Sequence, residues 1–199
     1  VSCIAAVKNE PHALPHDADG VVCVNSGDAA KSGAVRPGLA GYMHGFFWVL
    51  RLKRCDVESP MQIPITALEL VTQIINILVL CPLLDLVKTI VFFTDSLTSA
   101  KNIAQDSARA ELQRILVEWL RKRPEYDSIK ARALIGHMYG DTNIMSDAIS
   151  RGYDDVVAAL QRQLGIELRR IELPAAAYEV LNLMHIANLE RIHNRPLTE

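Results

Sequence analysis

The hydrophobic and polar positions divide this chain into a β-rich first third and a longer remainder in which helical and strand patterns alternate. Gly20 to Ser26 (Gly-Val-Val-Cys-Val-Asn-Ser) is rich in β-formers and bounded by glycines, which predicts a first strand stopping short of Asp28. Gly38 to His44 and Phe46 to Lys53 are two aromatic and aliphatic runs meeting at His44-Gly45, the pattern of a hairpin. Leu68, Val71, Ile75, Leu78, Val79 and Pro82 follow the 3.6-residue period and predict a long helix opening near Thr66. Lys88 to Thr94 is nearly all β-formers, as expected of a central strand buried on both faces, and ends at Asp95.

Beyond it, Ser96 to Ala104 reads as a short helix. Asp106 to Arg123 reads as a longer one, with Asp106 or Ser107 as N-cap, Arg121-Lys122-Arg123 in the last turn and Pro124 as the stop. Ala131 to Met138 is expected to be the fifth strand, Tyr153 to Leu164 a helix ended by Gly165, and Ala175 to Ile192 an amphipathic helix with Leu181, Met184, His185 and Leu189 near one face. The segment Cys55 to Pro64 is expected to be a loop. The sum is an α/β fold: a five-stranded mixed sheet, three antiparallel strands then parallel ones joined by right-handed crossovers, flanked by helices. Residues 1–19 are expected to be an irregular lead-in, 20–165 the domain, and 166–199 a helical tail.

Composition narrows the partners. A chain of 199 residues, half of them hydrophobic, suffices for one sizeable core. A net charge of −2 excludes a protein that holds nucleic acid by bulk positive charge, so such a partner must be gripped locally or through metal ions. Cys3, Cys23, Cys55 and Cys81 are scattered without a CxxC pair, which suits reduced thiols in an intracellular protein, cytoplasmic or nuclear. The longest uncharged apolar run, Leu70 to Leu84, is short of the ~20 residues of a membrane span. Val1-Ser-Cys-Ile offers no initiator Met and no basic start before an apolar core, so no secretory signal is expected, and the chain is read as a piece of a longer polypeptide.

Four acids carry the candidate chemistry. Asp28 and Asp95 fall after predicted strands, Glu69 near the start of a helix and Asp147 at the opening of a late helix, positions that converge at one edge of an α/β sheet. Carboxylates gathered there repel one another at low dielectric, and hard divalent cations such as Mg²⁺ resolve the conflict. Two such ions ~3.5–4 Å apart can activate a water and stabilise a leaving oxygen in phosphodiester cleavage. Each acid also has an ordinary structural reading. Thr66-x-x-Glu69 spells a capping box, Asp95 and Asp147 suit helix N-termini, and Asp28 suits a Gly-Asp turn. Asp154-Asp155 fits a solvated first helical turn, His185 and His193 have no metal-ligand partner at suitable spacing, and Trp48 and Trp119 fit core or rim aromatics.

The order and spacing of these pieces resemble the ribonuclease H domain, especially the form fused to reverse transcriptase in retroelements of the DIRS type. The resemblance covers about residues 20–152 and rests on Asp28-Ala-Ala-Lys-Ser-Gly followed by Gly38-Leu-Ala-Gly-Tyr, Ile65-Thr-Ala-Leu-Glu69-Leu, Phe93-Thr-Asp95-Ser, and His137 with Asn143-Ile-Met-Ser-Asp147-Ala-Ile-Ser-Arg151. It implies a ribonuclease H-like fold and an endonuclease that hydrolyses the RNA strand of RNA/DNA hybrids with two Mg²⁺ ions, Mn²⁺ substituting, as one domain of a polyprotein. By the same resemblance Asp28, Glu69, Asp95 and Asp147 are the metal ligands, and Glu69 also meets the ribose 2′-hydroxyl. His137, on a flexible loop, transfers a proton or helps product leave; Asn143 orders that loop, and Asn143, Ser96 and Arg151 contact substrate. One departure stands out. Gly27 intervenes in Asn25-Ser-Gly-Asp28, where family members run straight from the strand into the Asp-Ala pair, and is expected to form a bulge that re-aims Asp28. An inactive structural or nucleic-acid-holding module is therefore the alternative expectation, with a junction resolvase or transposase behind it.

Overall fold

The computed structural model describes residues 6–7, 22–58, 62–80 and 89–194. The expected strand start at Gly20, the lead-in apart from residues 6–7, and Cys3, Cys81, Pro82 and Lys88 lie outside them. The strands are β1 (Ala6–Val7), β2 (Val22–Ala30), β3 (Gly38–Met43), β4 (Phe46–Arg51), β5 (Thr89–Thr94), β6 (Ala133–His137) and β7 (Arg169–Arg170), in one sheet of order β1-β6-β5-β2-β3-β4-β7. The β2-β3 and β3-β4 pairs are antiparallel, and β2-β5, β5-β6, β1-β6 and β4-β7 are parallel. The protein is thus α/β with a mixed sheet, as expected. Five longer strands form its body, and each margin ends in a two-residue strand. One of these, β1, comes from the lead-in, which is therefore not wholly irregular.

Helices cover both faces: α1 (Arg54–Val57), α2 (Ile65–Leu80), α3 (Leu97–Ala104), α4 (Glu111–Leu120), α5 (Pro124–Lys130), α6 (Ile144–Arg151), α7 (Asp154–Leu164) and α8 (Ala175–His193). The strand period of two sorts side chains between two cores. Leu39, Trp48, Ile90 and Phe92 face the main core with α2, α4 and α8; Ala40, Tyr42, Phe47 and Val49 face a smaller cluster with Met145 and Ile149 of α6 and with α7. The helix expected in the tail is α8, and it docks through Ala177, Val180, Leu181 and Met184, all buried, while Leu189 is exposed. Among the described residues no helix is long and apolar enough to cross a membrane.

Four local expectations are corrected. The hairpin turn is at His44-Gly45, with φ of 46° and 85°, as its sequence predicts; but β2 does not stop before Asp28, and Gly27 makes no bulge. Gly27 pairs in unbroken register with Gly41 on one side and Thr94 on the other, so Asp28 is an ordinary strand residue opposite Ala40. Second, the helix expected over 106–123 is shorter, since α4 spans only Glu111–Leu120. Asp106 does not cap α4, whose N-cap is Ala110; it turns the chain at φ 51° and accepts a 2.6 Å bond from the buried Tyr126 hydroxyl and another from Lys130. Pro124 is the first residue of α5 rather than a terminator, a position where its missing N–H costs nothing. Third, the loop from Cys55 contains most of α1, because Asp56 accepts the Lys53 backbone N–H at 2.8 Å. Fourth, the fifth strand is shorter than 131–138 and ends at His137. Trp48 is fully buried, and Trp119 packs at the core's edge beneath Arg123.

Candidate active site

Parallel pairing of β2 with β5 sets the first two acids side by side. Gly27 is opposite Thr94, and the next residue on each chain is Asp28 and Asp95. Strand alternation then decides the face: Gly27 turns toward α2, and Asp28 toward α6, where Ser150 hydrogen-bonds its Oδ2. Glu69 arrives from α2. Its capping-box reading fails, because the carbonyl of Pro64 receives the first helical N–H groups, from Ala67 at 3.0 Å and Leu68 at 3.2 Å, which puts Thr66 inside the helix. Asp28, Glu69 and Asp95, with Arg151, line one cleft of about 1060 Å³, which also receives Lys31 from the β2-β3 loop and Arg191 from α8.

Asp147 reaches the cleft indirectly. It sits in the first turn of α6, and Arg151, one turn on, donates to its Oδ1 at 2.6 Å. Asn143 precedes α6 and is buried; its Nδ2 donates to the Gly27 carbonyl at 3.1 Å, fastening the start of α6 to β2. Ser96 caps α3, accepting from the Ser99 N–H at 3.2 Å, and its hydroxyl also bonds Glu69. His137 is not on a flexible loop: it is the last residue of β6, paired with Thr94, and its Nε2 lies 3.1 Å from the Asp95 carbonyl oxygen. With that nitrogen donating, Nδ1 carries the lone pair, and it is buried without a partner among the described residues.

The acids feel one another. Burial, the Ser150 bond notwithstanding, pushes Asp28 up to about 7, and Asp95 and Asp147 push the same way. Glu69 is raised by burial and by Asp95, against the bond from Ser96; Asp95 is raised by burial and by Asp147, against its backbone hydrogen bond, His137 and Arg151. Arg151 is raised chiefly by its bond to Asp147. Three carboxyls that all resist ionisation in one cleft form a donor set suited to a hard cation, and Asp95 Oδ1 is buried with no partner among the described residues. Even so, among the described residues no three His, Cys, Asp or Glu side chains are grouped so as to hold a metal ion. The acids share a cleft without being drawn into a ligand shell.

Ser150 was not foreseen, although Ser146 and Ser150 lie one helical turn apart on the apolar-flanked face of α6 and both are fully buried. Ser146 Oγ meets Ser26 Oγ at 2.6 Å, so a serine pair and the Ser150–Asp28 bond tie α6 along β2. A polar stripe at i, i+4 on a helix facing a strand that carries an acid is the signal that could have found them.

Comparisons with known protein families, with characterised proteins and with solved structures returned no match.

The raised pKa of Asp28 gives a pH dependence whose sign is fixed. A carboxyl that holds its proton more tightly folded than unfolded favours folding below the unfolded value of 3.8, and that contribution is lost as pH rises toward about 7. Asp28→Asn removes the penalty. In metal-free protein it should raise the urea-unfolding free energy by about 2 kcal/mol near pH 8, after allowing for a weaker bond from Ser150, and change it little near pH 4. A variant no more stable than wild type near pH 8 would refute the perturbed carboxyl.

Proposed function

We propose that the protein is a metal-dependent phosphodiester hydrolase that cuts the RNA strand of RNA/DNA hybrids, the ribonuclease H part of a retroelement polyprotein. The observation that carries this reading is the convergence of Asp28, Glu69 and Asp95 in one cleft from three elements distant in sequence. The sheet order, with three antiparallel strands followed by parallel β5 and β6, agrees with the fold that the resemblance implies. Asp28 and Asp95 would hold the ions centrally, Glu69 and Asp147 from the sides. Bound there, two Mg²⁺ ions supply water activation and neutralise charge on the leaving oxygen. The chain's own part is placement. β2 and β5 fix the spacing of the central pair, Arg151 holds Asp147, and Ser96 orients Glu69 toward the ribose 2′-hydroxyl that distinguishes RNA. The proton-transfer role falls to His137 Nδ1, the ring nitrogen left unpartnered when Nε2 bonds the Asp95 carbonyl.

The test is cleavage of a hybrid labelled on either strand. The expected result is Mg²⁺-dependent cutting of the RNA strand alone, abolished by chelator and restored by Mn²⁺; an intact hybrid with folded protein rejects the reading. Two observations favour a second reading, a fold kept without catalysis: among the described residues no metal-holding group is assembled, and Asp28 is engaged by Ser150. Calorimetric titration separates the two, since absence of Mg²⁺ or Mn²⁺ binding supports the inactive module and binding at two sites excludes it.

A further inference from the structure

A second cleft, of about 620 Å³, opens on the other side of α6, between β4, α7, β7 and α8. Its walls carry Arg36, Arg51 and Arg170 against one acid, Asp154, which is already paired with Arg36. In a chain of net charge −2 that is a local excess of positive charge. Arg51 has a structural task, since its guanidinium bonds the Arg36 carbonyl at 2.7 Å and, at the end of α6, the Ser150 and Ile149 carbonyls at 2.9 and 3.0 Å. That task explains one arginine and not the gathering of three. Burial first, and then Arg36 and Arg170, hold Arg51 below its ordinary value against the opposing pull of Asp154, so the charges act on one another. Arg170 is exposed, and its Nη2 approaches the Val49 carbonyl at 3.5 Å. The same cleft is lined by aromatic surfaces: Phe47, partly buried on β4, and Tyr178 of α8, 57 % exposed.

We propose that this arginine and aromatic cleft binds a single-stranded nucleic-acid segment, with Arg36, Arg51 and Arg170 on its phosphates and Tyr178 and Phe47 against its bases. Arginines that follow a backbone, interleaved with rings on which any base can stack, suit single strands, whose bases are exposed. An acidic peptide would use the charge and leave the rings without a matching flat partner. The two clefts also share a wall. Ser150 bonds Asp28 through its hydroxyl and Arg51 through its carbonyl, and Arg36 N donates to the Arg151 carbonyl at 2.9 Å, so the last turn of α6 is the ridge between them. A strand leaving the acid cleft over that ridge enters the arginine cleft. The inference rests on the hydrolase reading only in taking one strand to occupy both.

The test is fluorescence anisotropy of labelled single-stranded DNA and RNA oligonucleotides of about eight nucleotides, in chelator so that hydrolysis cannot contribute. Tyr178→Ala should weaken binding about tenfold. Arg170→Gln should weaken it several-fold and lower the slope of log affinity against log salt by roughly 0.7. Both positions are exposed, and unfolding curves check that the variants fold. Absence of binding at low salt, affinity unmoved by both variants, or tighter binding of a polyglutamate peptide of equal charge each overturns the proposal. Oligonucleotide binding without hybrid cleavage counts against the hydrolase reading alone; cleavage without oligonucleotide binding counts against this proposal alone.

Discussion

Asp95→Asn is expected to reduce hybrid cleavage about 1000-fold, roughly 4 kcal/mol of transition-state stabilisation, while leaving the fold intact. The side chain follows the central strand β5, touches the fields of both Asp28 and Asp147, and offers a buried oxygen that no described residue hydrogen-bonds. Asparagine keeps its shape but not its charge. The His137 bond is to the backbone carbonyl of Asp95 and survives the change, so the imidazole stays where it is. Stability separates lost chemistry from lost structure. Since burial holds the Asp95 carboxyl above its ordinary value, the neutral amide should leave the metal-free protein as stable as wild type, or more so, near pH 8. An inactive variant with a lowered urea midpoint would point to damage instead. Cleavage within tenfold of wild type would remove Asp95, and with it the hydrolase reading.

Gly41→Ala is expected to destabilise the protein by about 4 kcal/mol, enough to threaten folding. A Cβ at Gly41 would lie 2.0 Å from Asn76 Oδ1 and 2.3 Å from Trp48 Nε1, the two atoms that form a buried 2.7 Å hydrogen bond beneath the strand. Moving them apart strands an indole N–H and an amide oxygen in the core. Across the ladder, a Cβ on Gly27 would meet Asn76 Nδ2 at 2.5 Å and Gln73 Nε2 at 2.8 Å. The paired glycines let the polar face of α2 lie close on the sheet, so α2, and Glu69 with it, would be displaced by either substitution. Asn76→Ala in the Gly41→Ala background should recover part of the loss in urea unfolding, because it removes one of the obstructing groups. A Gly41→Ala protein with unchanged midpoint would show that this face packs differently.

Periodicity made most of the body legible: the hairpin at His44-Gly45, the long helix α2, the apolar β5 and the Gly165 stop are each written in a local run. What escaped was decided by neighbours far away in sequence. Gly27 looks like an interruption in one strand, and only the simultaneous pairing with Gly41 and Thr94 makes it a regular position whose missing side chain admits α2. Asp106 looks like a cap, and its use by Tyr126 and Lys130 depends on a short helix after Pro124 that the proline disguised as an end. For the site, the acids were visible because the sequence pattern set them near expected element boundaries, although Asp28 lies within β2 and Glu69 within α2, while their common cleft required the sheet order. Ser150 is signalled only by its i, i+4 spacing from Ser146, and the three arginines of the second cleft carry no local pattern, since Arg36, Arg51 and Arg170 belong to a loop, a strand end and a two-residue strand.

The margins of the sheet bear on how such a domain could be crowded among other chains. Among the described residues the outermost strands, β1 and β7, are two residues long, and β7 is a pair of exposed arginines. Open backbone N–H and C=O groups on a long outer strand invite a neighbouring chain to add a strand of its own; a two-residue stub offers almost no template, and charge on it repels another copy. At the β7 margin, many copies confined together are therefore expected to remain separate molecules rather than join by extension of the sheet.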